Sequence, residues 1–374
     1  MSDCLVRIGD IAETSSGGTP QRGVKRFYGG DIPWVKSGEL RDGFIWETEE
    51  TITSEGLASS SAKIFPAGTL LVAMYGATVG KLGVLQMPAA TNQAVCAITP
   101  SQAVDRDYLF FWLLKCRKNL RKASFGGAQP NISQSAIRDL EVPLPQLEAQ
   151  RYIAENLKDQ LDFVKDAHTA ATRQSEDLIA FGNAIVRESL EHAETRTCLL
   201  GDVLDEIRQG VGAEWAHYPV LGATRGGLAL AREPVGKNPE RYKPVERGSV
   251  FYNPMRILIG SIAMVDDGDT PGITSPDYVV LRGREGLVDS RWFYYWLRSP
   301  YGERSIASLA RGAVRERMLF NRLAEGEIAL PPLHVQQAAS RALAEIRPLQ
   351  TQIERQLREI EHLPERLLAQ AFQE

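Results

Sequence analysis

Leu144-Pro145-Gln146-Leu147-Glu148-Ala149-Gln150 is followed by Leu157, Val164, Ala171, Leu178 and Ile185 at intervals of seven. A proline-bounded exit leads into an apolar seam of four heptads, with Leu161, Ala167 and Phe181 on adjoining positions, and this pattern predicts one long amphipathic helix. The motif returns as Leu330-Pro331-Pro332-Leu333-His334-Val335-Gln336, followed by Ile346, Ile353, Ile360 and Leu367 with Leu349, Leu357 and Leu363 beside them. Pro348 and Pro364 predict a kink or interruption in this second helix. Two seams of similar length in one chain pack most simply on each other, and two independent amphipathic helices are the competing reading.

Working outward from the seams, the whole chain is written twice. Ile8-Gly9-Asp10-Ile11 answers to Leu200-Gly201-Asp202-Val203, and Pro66-Ala67-Gly68-Thr69-Leu70 with Val79-Gly80 answers to Glu246-Arg247-Gly248-Ser249-Val250 with Ile259-Gly260. Tyr108-Leu109-Phe110-Phe111-Trp112-Leu113 answers to Trp292-Phe293-Tyr294-Tyr295-Trp296-Leu297, with offsets between 180 and 192 residues throughout. A repeated domain implies one act performed at two places. The expected organisation is a mixed α/β domain over 1–145, a long helix over 146–195, a second mixed α/β domain over 196–331 and a second long helix over 332–374. Pseudo-symmetry makes the helices antiparallel, coiled-coil-like and related by a pseudo-two-fold axis. Within the domains, Gly and Pro bound short expected strands at 69–74, 79–85, 95–98, 250–252, 257–265 and 278–281, and short helices are expected at 107–118 and 290–298. The aromatic runs at 108–112 and 292–296 are assigned to the core, where aromatics in short helices usually lie.

Composition excludes several classes. With 374 residues, 43% hydrophobic and 24% charged, the chain is an ordinary globular protein long enough for two or three domains. No apolar run approaches a membrane span and the N-terminus lacks a secretory pattern, so a cytoplasmic location is expected. Cys4, Cys96, Cys116 and Cys198 form no CxxC pair and the five histidines no ligand spacing, so no metal is expected. The net charge of −4 is unevenly distributed: 146–195 carries 5 basic and 10 acidic residues, and 332–374 carries 5 and 6. Residues 1–145 hold 15 basic against 14 acidic and 196–331 hold 18 against 17, a balance compatible with DNA because binding depends on local phosphate contacts. Gly76-Ala77-Thr78-Val79-Gly80-Lys81-Leu82 fails as a phosphate loop in spacing and in its final residue, and Phe251-Tyr252-Asn253-Pro254-Met255 lacks the second Pro and closing aromatic of an amino-methyltransferase tetrapeptide. No dinucleotide fingerprint or nucleophile elbow is present either, so no catalysis and no cofactor are expected of this chain.

Ile8-Gly9-Asp10-Ile11-Ala12-Glu13, Ser16-Gly17-Gly18-Thr19-Pro20, Tyr28 to Leu40 (YGGDIPWVKSGEL), Ala90-Thr91-Asn92-Gln93-Ala94 and Pro143-Leu144-Pro145 with Glu148 and Gln150 together resemble the specificity subunit of type I DNA restriction-modification enzymes. The second half keeps the Gly-Asp start, the Gly-Ser strand and the Leu-Pro-Pro-Leu exit but lacks the Trp-Val-Lys-Ser-Gly, Thr-Asn-Gln and Gln-Pro-Asn-Ile-Ser segments. The resemblance implies two target-recognition domains, each reading half of a split double-stranded DNA site. It implies long helices that act as a ruler and as a docking surface for two modification methyltransferase subunits, which bind S-adenosylmethionine. Through them it implies restriction/translocase subunits that use ATP and Mg. A two-domain adaptor for proteins or carbohydrates is the alternative from another class.

Direct readout favours Arg or Lys on guanine and Asn or Gln on adenine. The loop from Thr19 to Arg26 (TPQRGVKR) is therefore the first candidate for DNA contact, through Thr19, Gln21, Arg22, Lys25 and Arg26, against a solvated turn as the competing reading. Lys36, Ser37, Lys81, Asn92, Gln93, Gln129 and Asn131 follow, although Asn and Gln beside Gly or Pro also build turns. In the second half the candidates are Arg225, Lys237, Arg241, Tyr252, Asn253, Arg256, Arg315 and Arg317, with 311–317 serving equally well as a phosphate clamp.

Overall fold

In the computed structural model the residues described are 4–122, 131–231, 234–310 and 317–372. They form two compact units, one running to Thr169 and including the C-terminal turns from Arg358, the other spanning Ala170–Leu357.

In the first unit β1 (Leu5–Arg7) leads through the one-turn helix α1 (Ile8–Ile11) into β2 (Ala12–Ser16) and β3 (Tyr28–Val35). Then come β4 (Gly43–Ile45), β5 (Glu50–Ile52), α2 (Ser54–Ala58), β6 (Ile64–Phe65), β7 (Leu70–Ala73), β8 (Leu82–Leu85), β9 (Ala89–Thr91) and β10 (Val95–Pro100). The unit continues with α3 (Arg106–Lys122), α4 (Gln134–Arg138), β11 (Glu141–Pro143) and the first half of α5 (Leu147–Glu191). Five strands in the order β2-β10-β7-β8-β4 form the central sheet, and β5-β3-β9-β6 form a second sheet. The period-two alternation of β7 divides the core. Leu70 and Val72 face α3 with Leu82, Val84, Cys96, Ile98, Tyr108 and Leu109, while Leu71 and Ala73 face Val35, Leu40, Ile45, Leu85 and Val95. The aromatic run at 108–112 is core, as expected, with Tyr108 and Phe111 buried and the Tyr108 hydroxyl donating to the Pro143 carbonyl at 2.7 Å.

The second unit repeats this framework. β12 (Arg196–Leu199), α6 (Leu200–Val203) and β13 (Leu204–Glu206) are followed by the hairpin β14 (Leu221–Thr224) and β15 (Gly227–Leu230), and by β16 (Lys243–Val245) and β17 (Val250–Tyr252). β18 (Ile262–Met264), β19 (Gly272–Thr274), β20 (Val279–Gly283), α7 (Ser290–Arg298), α8 (Pro300–Leu309), α9 (Phe320–Leu323), β21 (Glu327–Leu330) and α10 (Leu333–Ala371) complete it. The ribbon β12·β21 repeats β1·β11, and the sheet β13-β20-β17-β18 repeats β2-β10-β7-β8. Trp292, Phe293, Trp296 and Leu297 of α7 cover it as α3 covers the first. The two units part company in what is added to that framework, a four-stranded sheet in the first and the separate pairs β14·β15 and β16·β19 in the second.

Two expected strands begin late. The stretch 257–265 opens as a 3-10 turn over Ile257–Ile259 and becomes β18 only at Ile262, and 79–85 becomes β8 only at Leu82. In each case a left-handed glycine, Gly260 (φ 82°) or Gly80 (φ 76°), turns the chain inside the apolar run.

The seam positions of the long helices are covered, whereas Ala167, Phe181 and Leu349 on the adjoining positions are exposed. In the first unit Leu157 is buried, with Leu161 and Leu367 packed beside it; in the second Ile346 is buried with Leu178 and Ile185 beside it. The first half of α5 thus meets the last turns of α10, and its second half meets the first turns of α10, the pairing of antiparallel helices. Val164, Ile353 and Ile360 are half-buried. Neither Pro348 nor Pro364 interrupts α10, which runs for 39 residues through both. Each proline forfeits one backbone bond, about 3 kcal/mol in a helix interior. Burial of Leu343, Ile346, Leu368 and Phe372 around them holds the helix together. No helix among the described residues is long and apolar enough to cross a membrane.

Candidate nucleic-acid interface

The loop of the first unit that carries most candidate side chains is pinned at its base. A Cβ on Gly17 would lie 2.1 Å from the Thr91 hydroxyl, and one on Gly18 would lie 2.2 Å from the Ala62 nitrogen, so only glycine fits where the loop leaves β2. Trp34, fully buried at the end of β3, donates its indole N–H to the Gly18 carbonyl at 3.0 Å. Tyr28 donates its hydroxyl to the Pro20 carbonyl at 2.5 Å. The two rings pack edge to face with centroids 5.9 Å apart and form a platform.

Arg22 lies on that platform. Its guanidinium carbon is 4.9 Å from the Tyr28 ring centroid and 4.7 Å from that of Trp34, and Nη1 donates to Glu50 Oε2 at 2.5 Å. The other Glu50 oxygen accepts from Lys36 Nζ at 2.9 Å, and Lys36 also bonds Glu49 at 2.8 Å. Lys36 and then Arg22 hold the Glu50 carboxyl below its ordinary range, while the bonds from Glu49 and Glu50 raise Lys36 above the usual lysine value. Arg26 pairs with Glu55 at 2.7 Å on a more exposed rim. Gln21 and Lys25 are exposed. Thr19 bonds Gln93, and Ser37 opens the turn Ser37–Glu39.

Other candidates from the first unit serve the fold directly. Lys81 donates to Asp42 Oδ2 at 2.7 Å, and the same carboxylate pairs with Arg117. Asp42 is the one non-glycine with positive φ among the described residues, at 64°, and its Oδ1 also takes the Leu82 N–H at 3.0 Å. Asn92 closes a turn by accepting the Ala94 N–H at 3.2 Å, and Asn131 makes an isolated backbone bridge with Tyr75. Gln129 lies outside the described residues.

In the second unit Arg225 sits exposed in the β14–β15 turn, Lys237 and Arg241 are exposed on the segment before β16, and Arg256 is exposed after β17. Asn253 accepts the Met255 N–H at 2.9 Å, a turn closure. Arg317 pairs with Asp277 at 2.9 Å, and Arg315 lies outside the described residues. Tyr252 requires correction: it is fully buried under α7, its hydroxyl has no hydrogen-bond partner, and burial raises that hydroxyl far above the ordinary tyrosine range. As the last residue of β17 it points to the core by strand alternation, so it cannot reach DNA.

Sequence reasoning passed over Glu50, Tyr28 and Trp34 as parts of one site. The available signal was the acidic run Glu47-Thr48-Glu49-Glu50 facing a basic loop, which only the pairing of β3 with β5 brings together, Trp34 opposite Glu50.

Comparison with known proteins agrees with this framework. Residues 5–172 match the family described as the type I restriction modification DNA specificity domain. The MjaIX specificity subunit of Methanocaldococcus jannaschii is 33% identical over 154 residues, 40% of this chain and 35% of the relative. The EcoR124I/EcoR124II specificity subunit of Escherichia coli is 24% identical over 168 residues, 43% and 41% of the two chains. The match therefore spans well under half the length of these relatives. The MjaVIII specificity subunit of M. jannaschii, at 21% identity, aligns over 91% of this chain and 85% of its own. A solved chain from work on complex assembly and conformational transition of the type I R-M system shares the fold with a TM-score of 0.69 at 16% identity, covering 99% of this chain and 97% of that one. The S subunit from M. genitalium does so at 0.53 and 14%, covering 99% and 96%. With two units of one framework and an apolar helix seam, the chain is similar over its first half to the type I restriction modification DNA specificity domain and to the specificity subunits that carry it.

Proposed function

We propose that this chain is the DNA-recognition subunit of a type I restriction-modification enzyme, reading a bipartite asymmetric site with one unit per half-site and catalysing nothing itself. The observation that carries this reading is one framework bearing two different additions: equivalent ribbons, sheets and helices support a four-stranded sheet in one unit and two short strand pairs in the other. Two copies of a scaffold with unlike reading surfaces suit two unlike half-sites. In this reading the long helices set the unread spacer and dock two modification subunits, and restriction subunits join through them. S-adenosylmethionine belongs to the modification subunits, and ATP with Mg to the restriction subunits.

Co-expression with the cognate modification subunit, followed by methylation mapping of the host DNA, tests the proposal. Methylated adenines in a split motif with a constant spacer are expected. The assembled complex should also bind that site with an affinity that falls steeply as salt rises. A complex that forms but neither methylates nor selects any sequence would overturn the reading.

A further inference from the structure

We propose that Arg22 reads a guanine in the half-site of the first unit and that Glu50 is the residue that positions it, an assignment that rests on the DNA-recognition reading above.

A base-reading arginine must present two parallel N–H donors in a fixed plane, whereas a phosphate contact asks only for charge nearby. Arg22 meets the stricter demand. The Tyr28 and Trp34 rings set the guanidinium at 4.9 and 4.7 Å, and both rings are tied to the loop's own carbonyls at Pro20 and Gly18. Glu50 takes Nη1 at 2.5 Å and is itself held by Lys36 through its other oxygen, so the carboxylate cannot swing away. The Arg22 side chain nevertheless keeps 52% of its surface exposed, and the guanidinium has no other hydrogen-bond acceptor among the described residues. One part of the fork is buttressed and the rest is open, a geometry complementary to the O6 and N7 acceptors of guanine.

The neighbouring cations do not compete for this role. Lys36 is spent on two carboxylates and Lys81 on Asp42. Arg26 and Glu55 form a pair on the rim with 69% and 57% of their side-chain surfaces exposed. The charge around Arg22 also argues against a phosphate: Glu50 is bonded to it from β5, and a second anion there would be repelled. A neutral base edge carries no such penalty. Lys25, exposed and without an ion pair among the described residues, is better suited to the backbone.

The test uses the complex of this chain with its modification subunits and competition by duplexes carrying every single-base change in the half-site of the first unit. Arg22→Ala should lose about tenfold to a hundredfold discrimination at one G·C pair while the other half-site is read as before. Arg22→Lys should not restore it, because an ammonium cannot bond bidentately from a fixed plane. Glu50→Gln should relax the same base pair severalfold, with the salt dependence of binding unchanged. A selective wild-type complex whose Arg22→Ala variant discriminates normally at every position would overturn the assignment alone. So would a uniform loss with a shallower salt dependence, the signature of a phosphate contact. A wild-type complex with no site selectivity would overturn the recognition reading and this assignment together.

Discussion

Gln150 and Gln336 make the same three hydrogen bonds in the two units. Gln150, fully buried at the start of α5, accepts the Asp105 N–H at 2.7 Å and donates to the carbonyls of Ala103 at 3.2 Å and Pro145 at 2.9 Å. Gln336, equally buried at the start of α10, accepts the Asp289 N–H at 2.9 Å and donates to Leu287 at 3.0 Å and Pro331 at 2.8 Å. The aspartates so gripped cap α3 and α7: Asp105 takes the Tyr108 N–H and Asp289 the Trp292 N–H. One amide side chain thus locks the long helix to the cap of the helix that covers the sheet, twice. Each lock lies where the Leu-Pro exit was repeated in the sequence.

Replacing either glutamine by leucine leaves a backbone N–H and two carbonyls, several of them only partly buried, without these partners, at a cost of about 1 to 3 kcal/mol. Urea unfolding of Gln150→Leu and Gln336→Leu should show losses of similar size. A loss below about 0.5 kcal/mol in either would show that the bonds are replaced by others.

Tyr252→Phe should be neutral or stabilising by up to about 1 kcal/mol, because it removes a buried hydroxyl that has no partner. DNA selectivity should not change. Weakened recognition of one half-site in an otherwise stable Tyr252→Phe protein would return this residue to the interface.

Asp266 receives Arg291 through three hydrogen bonds and lies 3.6 Å from Arg347, and Asp267 and Asp269 complete the cluster. Asp266 is 6% exposed, so Asp266→Ala removes the buried carboxylate between two guanidiniums and leaves Arg291 only Asp267 and Arg347 only Asp269. A destabilisation of about 3 kcal/mol is expected by thermal or chemical unfolding.

The Arg22–Glu50–Lys36 cluster should outlast the ordinary glutamate titration. Glu50 is depressed, so its contribution is present above the ordinary glutamate value of 4.5 and is lost only as pH falls through a folded value below that. Lys36 is raised, so its contribution is present below 10.5 and is lost only as pH rises beyond that value. An NMR titration of the Glu50 carboxyl that found its midpoint at or above 4.5 would contradict the bonding described.

Cys96 and Cys116 are buried and pushed up to about 12 and about 11, whereas Cys4 is exposed. Only Cys4 should react promptly with a thiol reagent at pH 8, since the thiolate is the reactive form. Half-buried Cys198, also raised, should follow more slowly. Fast modification of Cys96 in the folded protein would contradict the packing of β10 beneath α3.

The repetition, the two long helices, the aromatic covers at 108–112 and 292–296 and the candidate loop at 19–26 are legible in the chain alone, because each is a local pattern: an apolar period, a glycine, a run of aromatics. Heptads fix a helix face wherever the partner comes from. Which charged and polar groups remain free to meet a ligand is settled by the folded arrangement. Lys36 and Lys81 read as DNA contacts until strand pairing brought Glu49, Glu50 and Asp42 to them, and Tyr252 did so until strand alternation turned it inward. Arg22 reads like its neighbours Lys25 and Arg26 in the sequence, and is set apart by a tryptophan twelve residues on and a glutamate twenty-eight residues on. Non-local pairing of this kind is where the chemistry of a side chain is settled, because an ion pair depends on distance in space and leaves no period in the chain.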